Sequence, residues 1–242
     1  MATIAQTLVI AGAAEGSFYT SHGKLIDVRY QGSFANEKSG MSFGVFQFDA
    51  HTNSTAKSVL HDILNFAVNT KAIDATTSKR LEQAATKKNA GAYLKGADRT
   101  TMDSLLSSPT GKTSIDVADT NRATDMESWV DGMIAQAATV WSMKKITAPI
   151  LTPGGKNNLR LFAYLLANLN RYPDDEDVFQ DWLNGKVVKT KNGPPKGWQL
   201  TAPPTLDQMH KFFHSLVIWD GTQGKYQNLR DRLDPTLDAL GA

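Results

Sequence analysis

Leu8-Val9-Ile10-Ala11-Gly12-Ala13-Ala14-Glu15-Gly16 and, further along, Ser42-Phe43-Gly44-Val45-Phe46-Gln47-Phe48-Asp49 are the two stretches on which the reading of this chain turns. The first lies within Ala2–Glu15, rich in Ala, Ile, Leu and Gln, where Ile4, Leu8 and Ala11 recur at helical spacing and predict a helix with one buried face. Gly16, Ser17 and the polar Thr20-Ser21-His22-Gly23 stop it. Apolar, largely β-branched or aromatic residues at Leu25, Ile26, Val28 and Tyr30, and again across Ser42–Phe48, predict two strands with Gly32–Gly40 as a loop. A leading helix is thus followed by a small hairpin or sheet near residues 24–48.

Working outward, the remainder reads as helical. Asn53 is placed to cap a helix whose stripe is Val59, Leu60, Ile63, Leu64, Ala67 and Val68. Thr76–Leu106 is polar and predicts only short helices. From Ala123 to Met143 the apolar residues Met126, Trp129, Val130, Met133, Ile134, Ala137, Val140 and Trp141 mark a long core helix, with Asp119-Thr120-Asn121 as its cap region. Leu159–Leu169 and Asp175–Leu183 predict two more helices, the first ending before Pro173. Residues 186–204 form a Pro/Gly-rich loop, after which Thr205 and Gln208 have capping-box spacing ahead of Leu206, Met209, Phe212, Phe213 and Leu216. A C-terminal segment 205–242 with one good helix is too small to fold alone, so residues 1–242 read as a single domain with that segment packed on it.

Composition narrows the function classes. Among 242 residues, 41% are hydrophobic and 21% charged, values of an ordinary folded protein that exclude disorder. The net charge of +2, from 26 Lys plus Arg against 24 Asp plus Glu, gives no ground for a nucleic-acid partner. The absence of cysteine excludes disulfides, thiolate metal sites and cysteine nucleophiles. No apolar run approaches the roughly 18 residues of a membrane span, so no integral membrane segment is expected. Leu8–Ala14 is too short, and too free of preceding Lys or Arg, for a classical signal peptide, so synthesis in the cytoplasm without one is expected. His210 and His214, four apart, lack the acidic partner of a zinc-protease helix, and neither a metal nor an organic cofactor is expected. His22 and His51 read as loop residues, and Trp129 and Trp141 as core.

The chemistry concentrates at Glu15. A carboxylic acid that donates a proton near neutrality needs its neutral form favoured. Apolar neighbours penalise the carboxylate, and the negative end of a helix dipole repels it. The end of Leu8–Ala14 places Glu15 to experience both.

These residues resemble the lysozyme-like superfamily, especially goose-type lysozymes and soluble lytic transglycosylases, in which a glutamate ends a helix and a small-x-Gly-x-x-Gln motif follows. Ser42-Phe43-Gly44-Val45-Phe46-Gln47 has that form, and Gln47 lies 32 positions after Glu15. The resemblance covers residues 1–50; beyond them it extends only to helical character. It implies a mainly α (α+β) lysozyme-like fold and an enzyme that cleaves a glycosidic bond of bacterial peptidoglycan, between N-acetylmuramic acid and N-acetylglucosamine. Glu15 is then the general acid, Gly44 lets backbone approach the saccharide, and Ser42 and Gln47 bind sugar or support the loop. For the second carboxylate of a hydrolase, Glu37 in the loop and Asp27 in the first strand are equal candidates, whereas a transglycosylase uses the substrate's own hydroxyl and needs neither. Ala163-Tyr164-Leu165 keeps the tyrosine of the transglycosylase Ala-Tyr-Asn motif and lacks its asparagine, which makes Tyr164 a candidate substrate contact. A monomeric phage endolysin, made in the host cytoplasm and acting on the wall after release, fits these expectations. A chitosanase of related architecture, or a non-catalytic glycan-binding or phage structural protein on the same scaffold, is the alternative.

Overall fold

A computed structural model describes residues 2–34, 37–216 and 223–242, without the side chains of 223–225. Residues 35–36 of the predicted Gly32–Gly40 loop and 217–222 of the C-terminal segment lie outside the described residues. The structure is 61% helical, with ten α-helices and two small two-stranded sheets among the described residues, which is the mainly α architecture expected. Helix α1 (Ile4–Glu15) starts from a reciprocal pair: Gln6 donates its N–H to Thr3 Oγ1 (3.2 Å) and Thr3 donates its N–H to Gln6 Oε1 (2.9 Å). By compactness the chain divides into Glu15–Arg122 and a discontinuous unit of Met1–Ala14 with Ala123–Ala242. Residues 186–204 and 205–242 both belong to the discontinuous unit.

In Glu15–Arg122, strands β1 (Phe18–Ser21) and β2 (Lys24–Asp27) pair antiparallel, Phe18 opposite Asp27 and Ser21 opposite Lys24. The turn residues His22 and Gly23 have φ of 49° and 73°, the left-handed pair that matches strand twist in a two-residue hairpin. The polar run that stops α1 is therefore half of a hairpin, a strand the sequence reading lacks. Ser42–Phe48 is not one strand. It breaks into β3 (Ser42–Phe43) and β4 (Phe48–Asp49), which pair antiparallel around a turn with Gly44 at φ 80° and Gln47 at φ 50°. Phe43, Val45, Phe46 and Phe48 are all buried, and a straight strand of period two would send either Val45 or Phe46 to the opposite face. The turn buries both.

Helices α2 (Ser54–Asn69), α3 (Ala75–Ala85), α4 (Ala90–Tyr93) and α5 (Gly96–Ser107) complete that unit with the start of α6 (Pro109–Met143). Asn53 caps α2 as expected, its side chain accepting the Ala56 N–H at 2.9 Å, above a buried stripe of Val59, Leu60, Ile63, Leu64 and Ala67. Helix α6 has 35 residues and starts well before the expected Ala123, with Pro109 in its first turn and Ser108 Oγ accepting the Gly111 N–H at 3.1 Å.

The discontinuous unit holds α7 (Asn158–Arg171), α8 (Glu176–Leu183), α9 (Leu206–His214) and α10 (Gln223–Ala239). Its core is aromatic: Trp182 stacks on Phe212 with ring centroids 4.0 Å apart, and Phe179 and Phe213 meet them edge-on. Thr205 and Gln208 form the expected capping box of α9. Both α9 and α10 pack on α7, with Tyr226, Leu229, Leu233 and Leu237 as the buried stripe of α10.

Candidate functional site

Glu15 is the last residue of α1 and is half-buried. Gly16, at φ 74°, turns the chain out of the helix, and Ser17 is buried. Ser17 Oγ donates to the Val45 carbonyl at 2.7 Å, and the Ser17 carbonyl accepts from the Val28 N–H at 2.9 Å. A side chain two residues beyond the acid is thus bonded into the middle of the Gly44–Gln47 turn. With successive Cα atoms about 3.8 Å apart, Glu15 starts within roughly 8 Å of that anchor.

The turn is held from its other side by Asp119 of α6. Its two carboxylate oxygens each accept the Val45 N–H at 2.8 Å, and Oδ1 also accepts the Phe46 N–H at 3.4 Å. Gly44 faces the same carboxylate: a Cβ there would lie 2.9 Å from Oδ1 and 3.2 Å from Oδ2. The absence of a side chain at Gly44 therefore makes room for Asp119, which corrects the expectation that it opens a path for a saccharide. Gln47 takes the supporting one of its two expected roles, its Nε2 donating to the Gly44 carbonyl at 2.9 Å while its Oε1 accepts from Ser33 Oγ. Ser42 is buried and exchanges backbone hydrogen bonds with Ser33, both at 2.8 Å, so its place is structural and not on a sugar-binding face.

The second-carboxylate candidates fare differently. Arg29 grips Asp27 in bidentate fashion, Nε to Oδ1 at 2.9 Å and Nη2 to Oδ2 at 2.8 Å, and so holds its carboxyl below the usual carboxylate range. With both oxygens engaged, Asp27 is a weak nucleophile or base. Glu37 is exposed in a turn. Tyr164 lies in the discontinuous unit with no exposed surface, its hydroxyl donating to Asp234 at 2.7 Å and its phenol pushed well up by burial. A side chain with no surface cannot touch a polymer, so the Tyr164 expectation is corrected: it is a core residue. One unit thus brings together Glu15, Asp27, Glu37, Ser42, Gly44 and Gln47, and Tyr164 is not among them.

Asp119 is the residue the sequence reading passed over as part of a cap region. It sits inside α6 with 2% of its surface exposed, and burial pushes its carboxyl up to about 7 against the pull of the Val45 and Phe46 N–H groups. The signal was present: Asp119 lies four residues from Ile115 and from Ala123 and seven from Met126, all buried, so it occupies the apolar stripe of its helix. The bare negative helix end expected beside Glu15 is not found. The last carbonyls of α1 are capped by cations, Arg232 donating to Ala13 (2.8 Å) and Ala14 (2.9 Å) and Arg171 to Ala14 (2.9 Å). Two guanidiniums therefore compensate the negative end of this helix.

Elsewhere, a cavity of about 590 Å³ in the discontinuous unit is lined by His210, Lys211, His214 and Tyr226, with Asp207 and Arg230. Lys211 is paired with Asp207 at 2.7 Å and Arg230 with Asp234 at 3.3 Å, so its fixed cations are already matched. Among the described residues no cluster of three or more His, Asp or Glu is placed to hold a metal ion. Comparison of the chain with protein families, curated proteins and solved structures finds no match.

Proposed function

We propose that this chain cleaves the glycan strand of bacterial peptidoglycan, with Glu15 as the proton donor, in the setting of a phage lysin that reaches the wall after release. The observation that carries the reading is the Ser17–Val45 hydrogen bond, which ties the chain just after a half-buried, helix-ending glutamate to a rigid glycine turn. In the proposed reaction Glu15 gives its proton to the glycosidic oxygen and the C1–O bond breaks with its electron pair leaving on that oxygen. The C6 hydroxyl of the same muramyl residue then bonds to C1, and its proton returns to the Glu15 carboxylate. This route needs one carboxyl group; for hydrolysis, the engagement of both Asp27 oxygens by Arg29 leaves the exposed Glu37 as the second carboxylate required.

Glu15→Gln keeps the shape and removes the transferable proton. Clearing of purified cell walls is expected to fall about 100-fold or more, the range of a lost general acid. Undiminished clearing by that variant would discard the proposal. Mass spectrometry of the products separates the routes: anhydromuramyl ends are one water lighter than the reducing ends of hydrolysis.

A further inference from the structure

We propose that Asp119 is a positioning residue of this site: from α6 it holds the Val45 and Phe46 amides and so fixes the turn against the segment that leaves Glu15. The inference rests on the reading of Glu15 as the acid. The two polar backbone groups of Val45 are gripped by separate side chains, its carbonyl by Ser17, 28 residues earlier, and its N–H by Asp119, 74 residues later. Both grips are buried. In its ionised form the carboxylate offers acceptors only, so both oxygens can face an N–H group, whereas an amide would turn a donor toward it. Burying an acid inside a helix is costly, and an apolar side chain would suit the stripe better. Gly44, at φ 80° and with no Cβ to obstruct the carboxylate, is matched to the same purpose. Two side chains distant in the chain and the neighbouring glycine therefore converge on one residue of the turn.

The charge state of this clamp lies in the working pH range. Burial is the main cause of the rise of Asp119 to about 7; Asp116, one turn earlier, adds to it and Arg29 opposes it. Asp116 in turn accepts from Tyr30 at 2.6 Å, Lys112 lies 5.3 Å from that ring, and Arg29 is itself paired with Asp27 at 2.8 Å, so the surroundings of the clamp include all five groups.

The test uses the full chain with soluble glycan strands, at several pH values between about 5 and 9. Asp119→Asn is expected to lower kcat about 10- to 100-fold, the scale of a small displacement of a catalytic group, with KM changed less than about 3-fold. It should flatten the pH dependence near neutrality and speed amide exchange at Val45 and Phe46. Ser17→Ala, which loosens the other grip, should lower kcat less, and the double variant should fall short of the product of the two effects. Wild-type kcat, or unchanged exchange at Val45 and Phe46, in Asp119→Asn would overturn the proposal. If Asp119→Asn does not fold, Ser17→Ala decides by the same two measurements. Full activity of Glu15→Gln would remove the acid reading by itself, whereas an inactive Glu15→Gln beside an unaffected Asp119→Asn would remove only the clamp.

Discussion

At Gly44 the backbone adopts φ 80° and presents its bare Cα to a buried carboxylate, so two independent constraints exclude a side chain there. Gly44→Ala should destabilise the protein by about 1–3 kcal/mol, the usual scale for a forced left-handed residue, and denaturant unfolding measures it directly. Asp119 gives a prediction whose sign follows from linkage. Its carboxyl stands at about 7 in the folded chain against an ordinary value of 3.8, so between those values the folded chain keeps a proton that the unfolded chain has released. The stabilisation is complete below about pH 4 and is lost as pH rises through about 7, amounting on the order of a few kcal/mol. Denaturation at a series of pH values should show that decline in wild type and lose it in Asp119→Asn. At this scale the sequence exposes the acid and the turn motif, since Glu15 ends an apolar run and Gly44 and Gln47 keep a recognisable spacing. It conceals what the motif touches, because the Asp119 partner is 74 residues away.

Helix α1 is closed at both ends, by the Thr3 and Gln6 pair at its start and by Arg171 and Arg232 on its last carbonyls. Arg232→Ala removes two charge-assisted bonds to that end while Arg171 stays on Ala14. A loss of about 1.5–3 kcal/mol in unfolding free energy is expected. Elements whose apolar residues recur at helical spacing, such as α2, α7 and α9, are legible in the sequence, and local partners such as Asn53 and the Thr205–Gln208 box mark their starts. The misreadings have physical causes. β1 is hidden because Thr20 and Ser21 are polar and its turn is His22-Gly23, and Ser42–Phe48 looks continuous because its aromatic residues do not show where the backbone reverses. The first third of α6 is hidden because its exposed Thr, Lys and Asp residues mask Ile115 and Ala118, and α10 because charges and Pro235 interrupt its stripe.

All five tryptophans of the sequence lie at Trp129 or beyond, and the four among the described residues, Trp129, Trp141, Trp182 and Trp198, report on the discontinuous unit and not on Glu15–Arg122. Phe212→Ala removes the ring stacked on Trp182 and should lower the emission-monitored midpoint by the equivalent of about 3–5 kcal/mol. Gly44→Ala belongs to the other unit and is read through its own amide exchange. The span between the two grips on Val45 also bears on how the protein comes into being. A ribosome releases the Glu15 helix and the glycine turn long before it has made Asp119, and until α6 emerges the Val45 amide has only water to bond. The turn therefore waits for its second anchor through the first half of synthesis, and a product terminated before α6 lacks the Asp119 grip on Val45.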